Sequence, residues 1–147
     1  MTDKPFAWEV KCQVADEDEV ALFVGLHPKV AGAVATAVDG YAGNAIGFWV
    51  KDDTDFTVKA LTKTSASAET TTQVATSMGD ATMHTFGCEY NGVDTVRFYF
   101  DGSLAATHTT NIPASTAYLA PTVAMATKEG ATKALKVEYM AFATYRA

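Results

Sequence analysis

Apolar and polar residues alternate along much of this chain, and the clearest alternation lies between residues 83 and 109. A period of two is typical of a strand with one buried face. Asn91-Gly92 and Asp101-Gly102 interrupt the run, and both pairs suit turns because their residues tolerate positive φ. The pattern predicts three successive antiparallel strands, whose apolar sides carry His84, Phe86, Cys88, Tyr90, Val96, Phe98, Phe100, Leu104, Ala106 and His108.

The first and last parts of the chain predict the longest strands, at residues 6–14 and 134–145. Strict alternation assigns Leu135, Val137, Tyr139 and Ala141 to one face of the last strand and Lys136, Glu138, Met140 and Phe142 to the other. Pairing these two strands would hold both ends of the chain, so we expect them to be neighbours.

Further predicted strands cover residues 20–26, 46–50, 56–61, 70–78 and 118–127. Gly25 indicates a bulge or a close backbone approach within the first of these. About ten short strands separated by turns favour an all-β fold, an antiparallel two-sheet β-sandwich. Without an internal repeat or a linker, residues 1–147 are predicted to form a single domain.

The composition narrows the function classes. The chain has 147 residues, of which 48% are hydrophobic and 19% charged, and this is typical of a folded domain. A net charge of −6 argues against a nucleic-acid partner or an anionic membrane surface. No apolar run is long enough to cross a membrane, and the N-terminus has no signal-peptide pattern, so synthesis in the cytoplasm without secretion is expected.

The two cysteines, Cys12 and Cys88, both fall on apolar sides of predicted strands. Two buried free thiols are the favoured interpretation, and a single bridge between strands stays open as the alternative. His84 and His108 also lie on apolar sides, and we expect hydrogen-bonded core histidines there rather than metal ligands.

Acidic side chains cluster in two predicted turns. Asp52, Asp53 and Asp55, or Asp16 and Asp18, would offer oxygen ligands to Ca²⁺, but neither group has the pattern of a glycine-centred calcium loop. Solvated turns are the favoured interpretation, so no metal and no other cofactor is predicted.

Aromatic side chains suggest an interaction surface. Trp49 and Tyr99 fall opposite the clearly apolar positions of their strands, and Tyr41 lies in a predicted turn region. Together with Asp53 and Asp55 they form the predicted interaction surface. Such a surface suits a sugar ring or a protein partner, unless a loop covers it.

Two segments carry a family resemblance. The segment VRFYFDG at residues 96–102 and the segment LKVEYMAF at residues 135–142 resemble the aromatic hairpin and terminal strand of concanavalin A-like (laminin-G-like) jelly rolls. The order of elements is similar in particular to small jelly-roll proteins of tailed-phage virions. This resemblance implies a virion structural protein, a capsid decoration, cement, fibre or knob component. It would be made in the host cytoplasm, would bind the capsid or another virion protein, and would form a homo-oligomer.

The same superfamily includes glucanases, whose signature is three acids at alternate positions of one strand. No such triplet occurs here, because Glu17/Glu19 and Asp53/Asp55 are pairs in turns. No G-x-S-x-G motif is present either. We therefore predict no catalytic residues and no enzymatic activity. The alternative function is a lectin-like carbohydrate-binding module that recognises host surface glycans.

Overall fold

The computed structural model describes residues 4–18, 20–28, 43–50, 56–64, 69–114, 118–127 and 132–145. Within these ranges the chain forms ten strands, and none of the described residues lies in a helix that could cross a membrane. The strands are β1 (Phe6–Val14), β2 (Val20–His27), β3 (Ala45–Val50), β4 (Val58–Lys63), β5 (Glu69–Ala75), β6 (His84–Tyr90), β7 (Val96–Phe100), β8 (Ser103–His108), β9 (Ala120–Thr127) and β10 (Leu135–Thr144).

The ten strands form two antiparallel five-stranded sheets, which confirms the predicted β-sandwich. Sheet A has the order β10-β1-β6-β7-β8, and sheet B has the order β5-β4-β3-β2-β9. β1 and β10 pair along their length, as expected of the first and last strands. β6, β7 and β8 form the predicted meander.

The two turns of the meander differ in length. Asp101 and Gly102 have φ values of 50° and 77°, as a two-residue hairpin turn of this hand requires. Around Asn91 the turn is longer, because five residues separate β6 from β7. The Asn91 side-chain Oδ1 accepts hydrogen bonds from the backbone N–H groups of Val93, Asp94 and Thr95.

The core lies between the sheets, and the inner faces of both sheets contribute to it. Phe48 on β3 is its aromatic centre. Its ring makes edge contacts with Trp8, Phe86 and Phe98, all from sheet A, at centroid distances of 6.2, 5.2 and 5.5 Å. Edge-to-face ring contacts add about 1 kcal/mol each beyond the buried area, so Phe48 ties the two sheets together.

Gly25 marks a close backbone approach, one of the two alternatives that the sequence left open. It pairs with Gly47 on β3, and a Cβ at Gly25 would lie 2.3 Å from the Ile46 carbonyl oxygen. Backbone atoms cannot move aside cheaply, so the close pairing of β2 and β3 at this position requires glycine.

The predicted face assignment of β10 is wrong because the strand contains an irregularity. Cys12 pairs with Val137 while Lys11 pairs with Tyr139, so Glu138 is an extra residue in β10. The bulge places Val137 on the same face as Met140, and both lie on the side of sheet A that faces sheet B.

Candidate functional site

A groove of about 380 Å³ lies on the outer face of sheet A, the face turned away from sheet B. It crosses four neighbouring strands, β10, β1, β6 and β7. Its floor consists of small residues, Ala7, Gly87, Ala141 and Ala143. The groove exists because the strand register brings these small side chains together: Ala7 pairs with Ala143, and Glu9 pairs with both Ala141 and Gly87.

Two carboxylates line the groove from neighbouring strands. Glu9 lies opposite Gly87, and Glu89 lies opposite Ala7, so the two acids are diagonal neighbours on one face. Diagonal neighbours in an antiparallel pair have Cα atoms roughly 7–8 Å apart. The two carboxylates thus point into the same groove, and only small side chains form the floor between them.

Each carboxylate accepts a hydrogen bond from a tyrosine. The Tyr99 hydroxyl donates to Glu89 Oε2 at 2.9 Å, and the Tyr139 hydroxyl donates to Glu9 Oε1. Each bond raises the pKa of its tyrosine, mainly because the phenol proton is held by the carboxylate and secondarily through desolvation. Both phenols therefore stay protonated at neutral pH and fix the orientation of the acids.

The groove is acidic. Among the described residues neither Glu9 nor Glu89 has an ion-pair partner within 4.0 Å, whereas Lys11 is engaged by Glu138 at 3.0 Å. Arg97 pairs in register with Glu89 on the next strand. The carboxylate oxygens are thus strong hydrogen-bond acceptors for hydroxyl or ammonium groups, and they disfavour anionic ligands.

The residues of the predicted interaction surface lie in different places. Tyr99 is on the groove wall. Trp49 is 8% exposed and packs with Phe23 and Leu61 in a separate cluster on the outer face of sheet B. The two rings therefore belong to different sheets and do not form one platform. Tyr41, Asp53 and Asp55 lie outside the described residues, as does Asp52.

The acidic turn with Asp16 and Asp18 makes hydrogen bonds within the protein. Asp16 Oδ2 accepts a hydrogen bond from Lys133 Nζ at 2.6 Å, and its Oδ1 accepts one from the Asp18 backbone N–H at 2.9 Å. The Lys133 contact is the main cause that lowers the pKa of Asp16. In the part of the chain that the structure describes, no three His, Cys, Asp or Glu side chains converge as metal ligands.

The histidines on the strands are hydrogen-bonded, as expected. His108 is 2% exposed, and its Nδ1 and Nε2 lie 3.0 Å from the hydroxyls of Thr62 and Thr72. His84 contacts Asp101 through Nδ1 at 2.8 Å and the Met78 carbonyl through Nε2 at 2.6 Å. These contacts use both ring nitrogens of each histidine.

The cysteines are free and buried, which confirms the favoured interpretation. Burial raises the pKa of Cys12 to about 12 and that of Cys88 well above its ordinary value. Both thiols are inert neutral core groups at physiological pH.

Sequence reasoning identified Tyr99 but missed Glu9, Glu89 and Tyr139. Each is one polar position on a separate strand, and the groove appears only when the register sets the strands side by side. The sequence signal for Glu9 and Glu89 was a single glutamate among mostly apolar neighbours, in the segments AWEVK and GCEYN.

Comparisons with known proteins show the fold. No family model matches the chain, and a search of curated proteins also finds no match. A Bacillus licheniformis β-glucanase superposes with a TM-score of 0.62 at 17% identity, over 99% of this chain and 69% of the glucanase.

Two carbohydrate-binding proteins are also similar in structure. The carbohydrate-binding module CBM66 from Bacillus subtilis has a TM-score of 0.56 at 13% identity, over 95% of this chain and 74% of the module. The galectin LEC-6 of Caenorhabditis elegans has a TM-score of 0.56 at 8% identity, over 95% of this chain and 87% of the galectin.

These likenesses confirm the concanavalin A-like jelly roll that the sequence resemblance implied. The chain is thus a member of this fold class. At these identities the likeness does not extend to activity. None of the three neighbours is described as a virion component, so the expected virion role gains no support from them.

Proposed function

We propose that this chain is a lectin-like, non-enzymatic carbohydrate-binding protein that holds a saccharide in the groove of sheet A. The observation that carries the proposal is the groove itself: a floor of alanine and glycine, with a Tyr–Glu pair on Tyr99 and Glu89. Binding sites for small ligands combine a concave apolar surface with a few convergent polar groups.

The chemistry of the groove suits a sugar. The floor offers a flat apolar surface to ring C–H groups, and the Tyr99 ring adds an apolar face with a polar tip. Glu9 and Glu89 supply acceptors for sugar hydroxyls. Because the polar groups of both acids are carboxyl oxygens that accept hydrogen bonds, the favoured ligand is a neutral or amino saccharide rather than a uronic acid.

The fold adds support. Structural neighbours of the chain include a carbohydrate-binding module and a galectin, as their names state. A glucanase is also among the neighbours, so the fold does not choose between binding and catalysis. The proposed binding role rests on the groove and not on the likeness.

The proposed absence of catalysis rests on the hydrogen bonds and strand positions of Glu9 and Glu89. Each is an acceptor held by a tyrosine, on a separate strand, and the three alternating acids of the glucanase signature are absent from the sequence. We therefore assign Glu9 and Glu89 to ligand binding. Release of reducing ends from a glycan, lost in Glu9→Gln or Glu89→Gln, would contradict this assignment.

A glycan array with neutral, amino and acidic saccharides tests the proposal. Tyr99→Ala removes one wall of the groove, and Tyr118→Ala is the matched control because Tyr118 is 93% exposed and does not line the groove. We expect binding to neutral or amino saccharides that is lost in the first variant and kept in the second. A blank array, or binding equal in both variants, would overturn the proposal.

A second candidate is adhesion to another virion protein, the role that the sequence resemblance implied. The specific feature in its favour is a row of exposed apolar side chains on β10, among them Met140 and Phe142. Co-purification of the chain with phage particles, abolished by Met140→Lys, would support this role. Absence from particles, with the free protein intact, would count against it.

A further inference from the structure

Exposed large apolar side chains concentrate at one edge of the molecule. Of the eight such residues among those described, Val93, Leu104 and Tyr118 are scattered. The other five lie on β10 or directly after it: Val137 at 42% exposure, Tyr139 at 38%, Met140 at 44%, Phe142 at 48% and Tyr145 at 58%. Val137, Met140 and Phe142 share the face toward sheet B, and such a row of exposed apolar side chains is typical of an interaction surface.

β10 is also an edge strand, since among the strands that the structure describes it pairs with β1 alone. Its other backbone edge therefore offers N–H and C=O groups to a partner strand. The remaining three edge strands are poorer templates. β5 begins with Glu69 and three threonines, β9 contains Pro121, which has no N–H, and β8 has six residues against the ten of β10.

The core is open at the same place. Met140 and Phe142 pair with Val10 and Trp8, so they lie on the face that covers sheet B, yet each remains nearly half exposed. Val123 and Met125 on β9, the matching edge of sheet B, are also incompletely buried. A single copy thus leaves one end of its core in contact with water.

We propose that two copies of this chain associate through β10, antiparallel and about a two-fold axis perpendicular to sheet A. In such a pair, directly opposed residues must point to the same face, so the two residue numbers differ by an even value. Ala141 opposite Ala141 meets this condition. It places Met140 of one copy opposite Phe142 of the other, and Tyr139 opposite Ala143.

The sequence of β10 favours a second copy of this chain as the partner at this edge. In this register residues 138–144 pair with the same segment of the second copy, and their single charged residue, Glu138, opposes Thr144, so the pairing opposes no like charges. Lys136 lies beyond this segment, toward the start of β10. The large Met140 and Phe142 meet each other at the open end of the core, and the small Ala141 lies on the axis.

The pairing also continues the groove. Ala141 and Ala143 belong to its floor and lie on β10, so a ten-stranded sheet across the axis would bring two grooves side by side on one face. Two linked sites raise the apparent affinity for a repeating ligand by effective concentration. The dimer itself does not depend on the proposed carbohydrate function and is tested without a glycan.

Sedimentation of the full chain over a wide range of concentration is the first test. We expect a monomer–dimer equilibrium whose dissociation constant rises roughly tenfold or more in Met140→Lys, because an inward-pointing charge blocks an edge strand. Leu104→Lys is the matched control, an exposed apolar residue on the opposite edge of the same sheet, and should dimerise as the unmodified chain does. A monomer at all concentrations, or an equal loss in both variants, would overturn the proposal.

A cross-link identifies the edge and register. In Ala141→Cys the new thiols of two copies would lie at the Cα separation that a disulfide needs, so mild oxidation should give a covalent dimer. Ala143→Cys is the control, because Ala143 faces Tyr139 of the second copy. Efficient cross-linking of Ala141→Cys alone supports the register, while equal cross-linking or none in both would contradict it.

Discussion

Tyr99 donates a hydrogen bond to Glu89 on the adjacent strand, with 2.9 Å between the two oxygen atoms. The bond holds a carboxylate at the wall of the groove without an ion pair, so the acid keeps lone pairs for a ligand. Tyr99 thereby has two separable parts: a ring that shapes the wall, and a hydroxyl that orients Glu89.

The two parts predict different effects of two substitutions on saccharide binding. Tyr99→Phe keeps the ring and should weaken binding only a few-fold, since the ring contacts remain and the lost hydroxyl only orients Glu89. Tyr99→Ala should weaken it tenfold or more, because ring contacts are lost as well. Titration calorimetry measures both, and an equal loss in the two variants would contradict the assigned role of the ring.

Substitutions at two glycines should change the free energy of unfolding by very different amounts. A Cβ at Gly87 would meet the Tyr99 Cβ at 3.5 Å, an ordinary contact, whereas at Gly25 it would lie 2.5 Å from the Gly47 Cα. Gly87→Ala should change the free energy of unfolding by less than about 1 kcal/mol. Gly25→Ala should reduce it by about 3 kcal/mol or more.

Urea unfolding under matched conditions measures both changes, and similar values would contradict the close approach of β2 and β3. The larger Gly87→Val gives a further readout. It should leave the fold intact, because valine suits a strand, and it should fill the groove floor and abolish saccharide binding.

His108 predicts a loss of stability in acid. Burial lowers its pKa from 6.5, so the unfolded chain binds more protons than the folded chain as pH falls. The stability that neutral His108 provides is complete above pH 6.5 and is lost as pH falls through the lower folded-state pKa. His27 is also buried, and its pKa shifts in the same direction.

Unfolding free energies measured from neutral to mildly acidic pH test this. His108→Gln should cost about 1–2 kcal/mol at neutral pH through its two hydrogen bonds to Thr62 and Thr72. The variant should also show a shallower decline in acid, with the remainder due to His27. An unchanged slope would exclude His108 as a source of the pH dependence.

The fold was predictable from sequence because the alternation of apolar and polar residues that indicates a strand involves only residues close together in the chain. Turn residues such as Asp101 and Gly102 adopted the positive φ that their types favour. The face of Met140 was not predictable, since the bulge at Glu138 shifts the alternation by one residue. A bulge is a property of the pairing of two strands, and one strand read alone does not show it.

The candidate site was predictable only in part for the same reason. Glu9 and Glu89 are 80 positions apart in the chain, and the register of β1 with β6 brings them to one groove. Trp49 looked like a surface residue because it alternates with core positions. Its burial against Phe23 and Leu61 shows that the outer face of sheet B has an apolar cluster of its own.

The cysteines predict a pattern of thiol reactivity. Cys88 pairs with Trp8, and Trp8 lies four residues before Cys12 on β1. The two cysteines are therefore offset by about 13 Å along the strand direction. A disulfide needs Cα atoms within about 7 Å, and the fold therefore keeps the thiols apart.

In the native protein a thiol reagent should label neither cysteine, because both are buried and burial raises the pKa of Cys12 to about 12. After unfolding in denaturant without reductant, both should be labelled, and mass spectrometry counts the added groups. Cys12→Ser is the matched control and should give one added group instead of two. Full labelling that requires a reductant would mean that the thiols are oxidised, and rapid labelling of the native protein would contradict the buried positions of Cys12 and Cys88.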